Sequence, residues 1–125
     1  GGAGEDISIG RVTLPDTPPT GSHRPLAVRP ADLDPMGHAN NAVYLDWIEE
    51  AIAAAGGGSA IAAAPRRYRL EYALAAEPDA RLDAAAWTAD SGWNVRLAHA
   101  ETGADLFRAR LESADGAAAP MEVDR

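Results

Sequence analysis

Four polar residues stand close together in the first third of the chain, at Asp34, His38, Asn40 and Asn41. A carboxylate such as that of Asp34 can attack a carbonyl carbon, or it can activate the water molecule that attacks. An imidazole such as that of His38 can exchange a proton or orient a substrate. Asp34 also opens the turn sequence DPMG, with proline second and glycine fourth. These residue types therefore predict a carboxylate and an imidazole held near one turn, where they are suited to carbonyl chemistry.

An apolar helix is predicted to begin where these polar residues end. It extends from about Asn40 to Ala55, and three consecutive glycines at 56–58 end it. The first turn of a helix exposes unpaired N–H groups and a positive dipole end, which can bind an anion or polarise a carbonyl oxygen. The same residues also fit a structural role, because asparagine caps helices and aspartate closes turns in many proteins. Residue types alone leave both roles open.

Alternating apolar and polar residues after the helix predict four further strands, which include Tyr68, Leu82, Trp93 and Phe107. An earlier alternation at 26–29 predicts one strand before the helix. The helix is apolar on nearly all sides apart from a narrow acidic stripe, so we expect it to be buried. One buried helix with an antiparallel meander is an α+β arrangement, in which a sheet curls around a single long central helix.

The composition limits the classes of function. The chain has 125 residues, which is the length of one domain, and a net charge of −8. An acidic surface argues against nucleic-acid binding, and no apolar segment is long enough to cross a membrane. The absence of cysteine fits a reducing cytoplasm, so we expect a soluble cytoplasmic protein. The histidines have no partners at metal-site spacing, and neither a metal nor another cofactor is expected.

The segment VRPADLDPMGHANNAVYLDWIEEA, residues 28–51, resembles the signature of hotdog-fold thioesterases, in particular the branch of acyl carrier protein (ACP) thioesterases. The matching positions are Asp34, Gly37, His38, Asn40, Asn41, Tyr44, Trp47 and Glu50. The resemblance implies the hotdog fold, an antiparallel sheet wrapped around one long helix. It also implies hydrolysis of acyl thioesters of coenzyme A or ACP. We therefore expect a hotdog domain at 22–114, between an N-terminal extension or linker at 1–21 and a flexible tail at 115–125.

The resemblance implies a role for each residue of the polar cluster. Asp34 would be the catalytic carboxylate, as either nucleophile or base, and His38 its catalytic partner. Backbone N–H groups at the start of the helix would hold the thioester carbonyl oxygen. We therefore assign Gly37, Asn40 and Asn41 to oxyanion or substrate binding.

Two positions depart from the ACP branch. Met36 stands where that branch has an asparagine. Ala75 stands where it has a glutamate on the strand after the helix, and Glu77 follows two residues later. The Asp34 carboxylate is therefore predicted as the catalyst without the full residue set of the branch.

Charged residues outside this segment have two interpretations each. Arg66 and Arg67 could contact the phosphates of coenzyme A, or they could keep one strand face soluble. Glu49 and Glu50 could supply a helix carboxylate that acts as base, as in another hotdog branch. Alternatively, they form a solvated or interface stripe on the helix.

An alternative to thioester hydrolysis is a non-catalytic or dehydratase-like hotdog domain that binds acyl chains, or one half of a tandem hotdog protein. An open sheet edge is unsafe in a soluble protein, and the family pairs two hotdogs side by side. We therefore expect a homodimer or a pair with another hotdog domain, through the strand at Tyr68–Leu74 and the Asp34–Asn41 segment. The expected substrate is an acyl-coenzyme A or acyl-ACP thioester, with neither nucleic acid nor membrane as partner.

Overall fold

The computed structural model describes residues 5–29, 32–33, 41–62, 66–77, 79–89 and 92–113. Strands and helices follow one another in this order: β1 Glu5–Ile9, β2 Ser22–Ala27, α1 Asn41–Ala54, α2 Gly58–Ala62, β3 Arg66–Tyr72, β4 Arg81–Ala89, β5 Gly92–His99 and β6 Asp105–Ser113. The four strands after the helices lie where alternation predicted them. The strand predicted at 26–29 overlaps β2 only at residues 26 and 27, because β2 begins and ends earlier in the chain, and β1 adds a strand near the beginning of the chain.

All six strands form one sheet in the order β1-β3-β6-β5-β4-β2. The neighbours from β3 to β2 are antiparallel, as expected for a meander. β1 instead runs parallel to β3, with Glu5 in register with Arg66 and Ile9 with Leu70. The expectation of a purely antiparallel sheet is therefore corrected to a mixed sheet. A parallel pair needs a crossover rather than a hairpin, and here the chain visits β2 and α1 between β1 and β3.

β1 also changes which strands lie at the edges of the sheet. The chain stays attached beyond β1, because Gly10 N–H donates to the Leu70 carbonyl at 2.9 Å and Val12 N–H donates to the Glu71 carboxylate at 2.7 Å. β3 thus lies between β1 and β6, and the two edge strands of the described sheet are β1 and β2. This corrects the expectation that the strand at Tyr68–Leu74 offers a free edge for pairing.

α1 packs against one face of the sheet and supplies the centre of the core. Ile48 and Ile52 of α1 are fully buried. Ala84 and Ala86 of β4 belong to the same buried cluster, and their small side chains leave room for the helix. A buried isoleucine replaced by alanine typically costs about 2–5 kcal/mol, so Ile48 is a major contributor to stability.

The helix predicted at about 40–55 is present as α1, but it is short rather than long, and a second short helix, α2, follows the glycines. α1 has 14 residues and α2 has five. Gly56 has a φ of 100°, a conformation that favours glycine, and a Cβ on Gly57 would lie 2.4 Å from the side chain of Ile52. Both positions require glycine, so the glycine run separates the helices. Neither helix in the described ranges has the length and apolar character needed to span a bilayer.

Candidate functional site

Most residues predicted to do chemistry fall outside the described part of the chain. They are Asp34, Gly37, His38 and Asn40. Asn41 is the first residue of α1 and is described by its backbone. The surroundings of the candidate site are therefore defined by the chain just before it and by α1 just after it.

Both flanks of this segment lie at one end of the sheet. Tyr44, in the first turn of α1, stacks on Phe107 of β6 with ring centroids 4.8 Å apart. The Tyr44 hydroxyl accepts a hydrogen bond from the N–H of Ala76 at 3.3 Å. Val28, just after β2, exchanges backbone hydrogen bonds with residues 79–80 at 3.2 and 3.0 Å. The end of β2, the beginning of α1 and the β3–β4 connection therefore meet at this end of the sheet.

Asp32 closes a turn two residues before Asp34. The residue is 5% exposed, and its carboxylate accepts hydrogen bonds from the Arg29 backbone N–H and from Arg29 Nη2, both at 2.9 Å. The hydrogen bond from the Arg29 side chain lowers the pKa of Asp32 below its ordinary value, so the carboxylate is ionised at neutral pH. Asp32 was not among the predicted residues.

Buried aromatic rings hold the first turns of α1 in place. Tyr44 makes edge contacts with Trp47 and Tyr72, with centroids 5.1 and 5.0 Å apart. Burial raises the pKa of both Tyr44 and Tyr72 above the ordinary phenol value. Because both phenols stay protonated at neutral pH, they serve as packing groups and hydrogen-bonding groups rather than as bases.

The acidic stripe of α1 divides between two sides of the helix. Glu49 accepts a hydrogen bond from the hydroxyl of Tyr68 at 2.5 Å, and Tyr68 is completely buried on β3. Asp46 and Glu50 instead face a cleft between α1 and β2. Glu50 is exposed, as a solvated stripe requires, whereas Glu49 links α1 to β3.

The cleft between α1 and β2 has a volume of about 270 Å³ and borders the Asp32 turn. Arg24 and Arg29 contribute cationic groups to its walls, and Trp47 contributes an apolar surface. The Arg29 side chain is 74% exposed, so its guanidinium has donors left for a ligand besides Asp32. Sequence reasoning did not single out these two arginines, whose only signal was their closeness in sequence to Asp34.

Arg66 and Arg67 lie at the other end of β3 from the beginning of α1. β3 extends from Arg66 to Tyr72, and Tyr72 is the residue that contacts the first turn of α1. At about 3.3 Å per residue, the two ends of the strand are about 20 Å apart. The register places Glu5 beside Arg66 and Asp6 beside Arg67. The structure therefore places Arg66 and Arg67 at the end of β3 that lies away from the beginning of α1.

The histidines that the structure describes have other surroundings. His23 Nδ1 lies 2.7 Å from the Asp83 carboxylate. His99 lines a second cleft, of about 300 Å³, together with Glu77 and Glu101. Across the described ranges, no group of three or more histidines and carboxylates is arranged to hold a metal ion.

Comparison with known proteins gives one family and several similar structures. Residues 17–111 match the acyl-ACP thioesterase C-terminal domain family. A 12:0-ACP thioesterase from Umbellularia californica has a TM-score of 0.61 and 24% identity, over 82% of this chain and 38% of its own. A 1,4-dihydroxy-2-naphthoyl-CoA thioesterase from Synechocystis has a TM-score of 0.56 and 17% identity, over 73% and 78%. The comparison with curated protein sequences finds no match.

A third structure, an acyl-ACP thioesterase from Bacteroides thetaiotaomicron, has a TM-score of 0.56 and 17% identity, over 82% of this chain and 40% of its own. These likenesses confirm the predicted hotdog fold, with a sheet packed against few helices. The chain spans 38% and 40% of the lengths of the two acyl-ACP thioesterases.

Proposed function

The chain belongs to the acyl-ACP thioesterase C-terminal domain family, and from this membership we propose that it hydrolyses acyl thioesters of coenzyme A or ACP. The match over residues 17–111 carries the proposal, because it includes the predicted catalytic segment and both of its flanks. Thioesterase is the enzyme class that the family gives the chain. The products would be a carboxylic acid and a free thiol.

Asp34 is proposed as the catalytic carboxylate. It would either attack the thioester carbonyl, forming an acyl-enzyme that water then hydrolyses, or take a proton from an attacking water. In both routes the new C–O bond replaces the C–S bond, and the sulfur leaves as a thiolate that takes up a proton. His38 would orient the substrate or tune Asp34. The buried Asp32 turn supports this role, because it fixes the chain two residues before Asp34.

The oxyanion site is proposed at the beginning of α1. The N–H groups at Asn41, and those near Gly37 and Asn40, would donate to the carbonyl oxygen as negative charge develops on it. Asn41 begins α1, and the first N–H groups of a helix have no acceptor within the helix. The aromatic packing of Tyr44 holds this turn against the sheet and so limits its motion. Loss of one such donor typically lowers kcat by about 10²–10³.

The identity of the thiol carrier belongs to the same proposal. Arg66 and Arg67 would contact phosphate groups of the carrier at the far end of β3 from the thioester. The net charge of −8 disfavours an acidic carrier protein except at such a basic patch, and this favours coenzyme A. We further propose a cytoplasmic location, and a homodimer or a pair with another hotdog domain as the working unit.

A free-thiol release assay over acyl-coenzyme A and acyl-ACP substrates tests the proposal. Asp34→Asn should lower turnover at least about a hundredfold with the fold intact, as removal of a general base or nucleophile does. Asp16→Asn, at an exposed loop carboxylate, is the matched control and should keep full activity. Equal thiol release by the two variants would remove Asp34 from the mechanism. Acyl-chain binding with no thiol release from any substrate would favour the non-catalytic hotdog domain.

A further inference from the structure

The cleft between α1 and β2 begins beside the proposed site and continues along the helix. Val43, in the first turn of α1, lines one end, and Glu50 lines the other, about 10 Å further along the helix. The opposite wall extends from Arg29 back to Arg24 on β2, and the Asp32 turn borders the same space. The cleft therefore joins the beginning of α1, where the oxyanion site is proposed, to the exposed surface around Glu50.

Hydrogen-bonding groups of both kinds line the cleft. Arg24 uses Nη1, which carries one of its N–H donors, for the Glu50 carbonyl at 3.3 Å, so its other donors are available. Arg29 uses Nε and Nη2 for Asp32, which leaves Nη1 available. Within the described ranges, the carboxylates of Asp46 and Glu50 make no hydrogen bond or close ion pair. The cleft thus has donors on one wall and acceptors on the other.

The charges that line the cleft nearly cancel. Arg24 and Arg29 contribute positive charge, and Asp32, Asp46 and Glu50 contribute negative charge. A phosphate would face the carboxylates and an ammonium would face the guanidinium groups, so neither sign of ligand charge is favoured. An acyl chain is disfavoured as well, because it would cover these polar groups and leave them unsatisfied. The walls instead fit an uncharged chain whose carbonyl oxygens accept from arginine and whose N–H groups donate to carboxylate.

We propose that this cleft binds the pantetheine arm that joins the thioester sulfur to coenzyme A or to ACP. The arm is an uncharged chain with amide groups and a branched apolar part, and both carriers have it. Its amides would bond to Arg24 on β2 and to Asp46 on α1, and its apolar part would contact Trp47, an apolar residue of the α1 wall. The inference rests on the proposed function, since it starts from a thioester held at the beginning of α1.

The cleft lies at the opposite edge of the sheet from Arg66 and Arg67. β2 and β3 are separated by β6, β5 and β4, so they lie about 19 Å apart along the sheet. An arm in the cleft directs the carrier along β2, whereas phosphate contact at Arg66 and Arg67 needs an arm directed along β3. The two placements exclude each other, and variants at the two edges identify which one the carrier takes.

Kinetics with three thioesters of one acyl group test the cleft. They are the coenzyme A ester, the pantetheine ester and the ethanethiol ester, which lacks the amides. Arg24→Met keeps a long side chain without its donors, and it should lower kcat/KM for the first two esters at least about tenfold, mainly through KM. The ethanethiol ester should be unaffected. Asp46→Ala, at an exposed position of α1, should act in the same direction, whereas Arg69→Met, at an exposed position of β3, is the matched control and should keep wild-type values.

Circular dichroism verifies the fold of each variant, and acyl-ACP should respond to the variants as the coenzyme A ester does. An unchanged KM for the pantetheine ester in both Arg24→Met and Asp46→Ala would overturn the inference. An equal loss with the ethanethiol ester would also overturn it, because the effect would then be independent of the arm. A loss in Arg67→Met alone would place the arm along β3 instead, and a loss confined to acyl-ACP would assign the cleft to a segment of the carrier protein.

Titration calorimetry separates the inference from the proposed activity. The Asp34→Asn chain should bind the pantetheine ester, and the addition of Arg24→Met should weaken this binding at least about tenfold. If no thioester is hydrolysed but this dependence on Arg24 is measured, the proposed activity fails and the cleft stands. If hydrolysis is observed and binding does not depend on Arg24, the cleft fails and the proposed activity stands.

Discussion

Replacement of Tyr68 by phenylalanine tests how strongly α1 is attached to β3. The Tyr68 hydroxyl donates to the Glu49 carboxylate at 2.5 Å, and the tyrosine is fully buried. Phenylalanine keeps the ring, so the change removes mainly this hydrogen bond. A hydrogen bond to a charged group contributes about 1.5–3 kcal/mol to stability. Because Glu49 is half-buried, water can bind its carboxylate in the variant and offset part of the lost free energy. We expect the free energy of unfolding to fall by about 1.5–2 kcal/mol, which lowers Tm by roughly 6–8 °C.

Urea and thermal denaturation followed by circular dichroism give these quantities. A double-mutant cycle with Glu49→Ala should yield a coupling energy of about 1 kcal/mol or more between the two side chains. Glu50→Ala, at the exposed neighbouring carboxylate of α1, is the matched control and should change stability by less than about 0.5 kcal/mol. A coupling energy below about 0.3 kcal/mol would refute the view that this bond holds α1 to β3.

Three further predictions concern the site and the outer face of the sheet. His38→Ala should lower kcat less than loss of the proposed catalytic carboxylate does, and a more inactive histidine variant would reverse the two roles. The hydrogen bond from Arg29 lowers the pKa of Asp32 in the folded protein. The ionised carboxylate therefore stabilises the fold fully above about pH 4, the ordinary pKa of an aspartate. This stabilisation is lost as pH falls through the lower pKa of the folded state. In Asp32→Asn, the free energy of unfolding should therefore fall less steeply as pH is lowered from about 5 to 2. The same steepness in the variant and the wild type would exclude this contribution. Asn94→Ala removes the buried oxygen that accepts a hydrogen bond from Arg110 Nη1 at 2.8 Å. Urea denaturation should show that the free energy of unfolding falls by about 1–3 kcal/mol. An unchanged free energy of unfolding would contradict a contribution from this buried bond.

The sequence by itself determined the local elements of this protein and its family. Alternation of apolar and polar residues located β3 to β6, and three glycines located the end of α1, because periodicity and turn residues act over a few neighbouring positions. The signature at 28–51 indicated a hotdog-fold thioesterase for a similar reason, since its residues are contiguous in the chain. The family match over residues 17–111 confirms that indication.

The sequence predicted the residue types of the candidate site, but it did not predict the contacts that hold the neighbouring chain in place. Asp34 and His38 stand in a recognisable motif, and their roles stay predictions. Asp32 belongs to the same short segment, but its burial and its double contact with Arg29 depend on how the chain turns after β2. A local pattern does not distinguish a buried carboxylate from a solvated one.

Only the tertiary structure decided which distant segments meet. The parallel pairing of β1 with β3 replaced the expected free edge, and it put Arg66 and Arg67 in register with acidic residues far from the start of α1. The hydrogen bond from Tyr68 likewise distinguished Glu49 from its neighbour Glu50 on the same acidic stripe. Strand partners and buried polar pairs are set by the packing of the whole sheet against its helix, and separation along the chain carries no signal for such contacts.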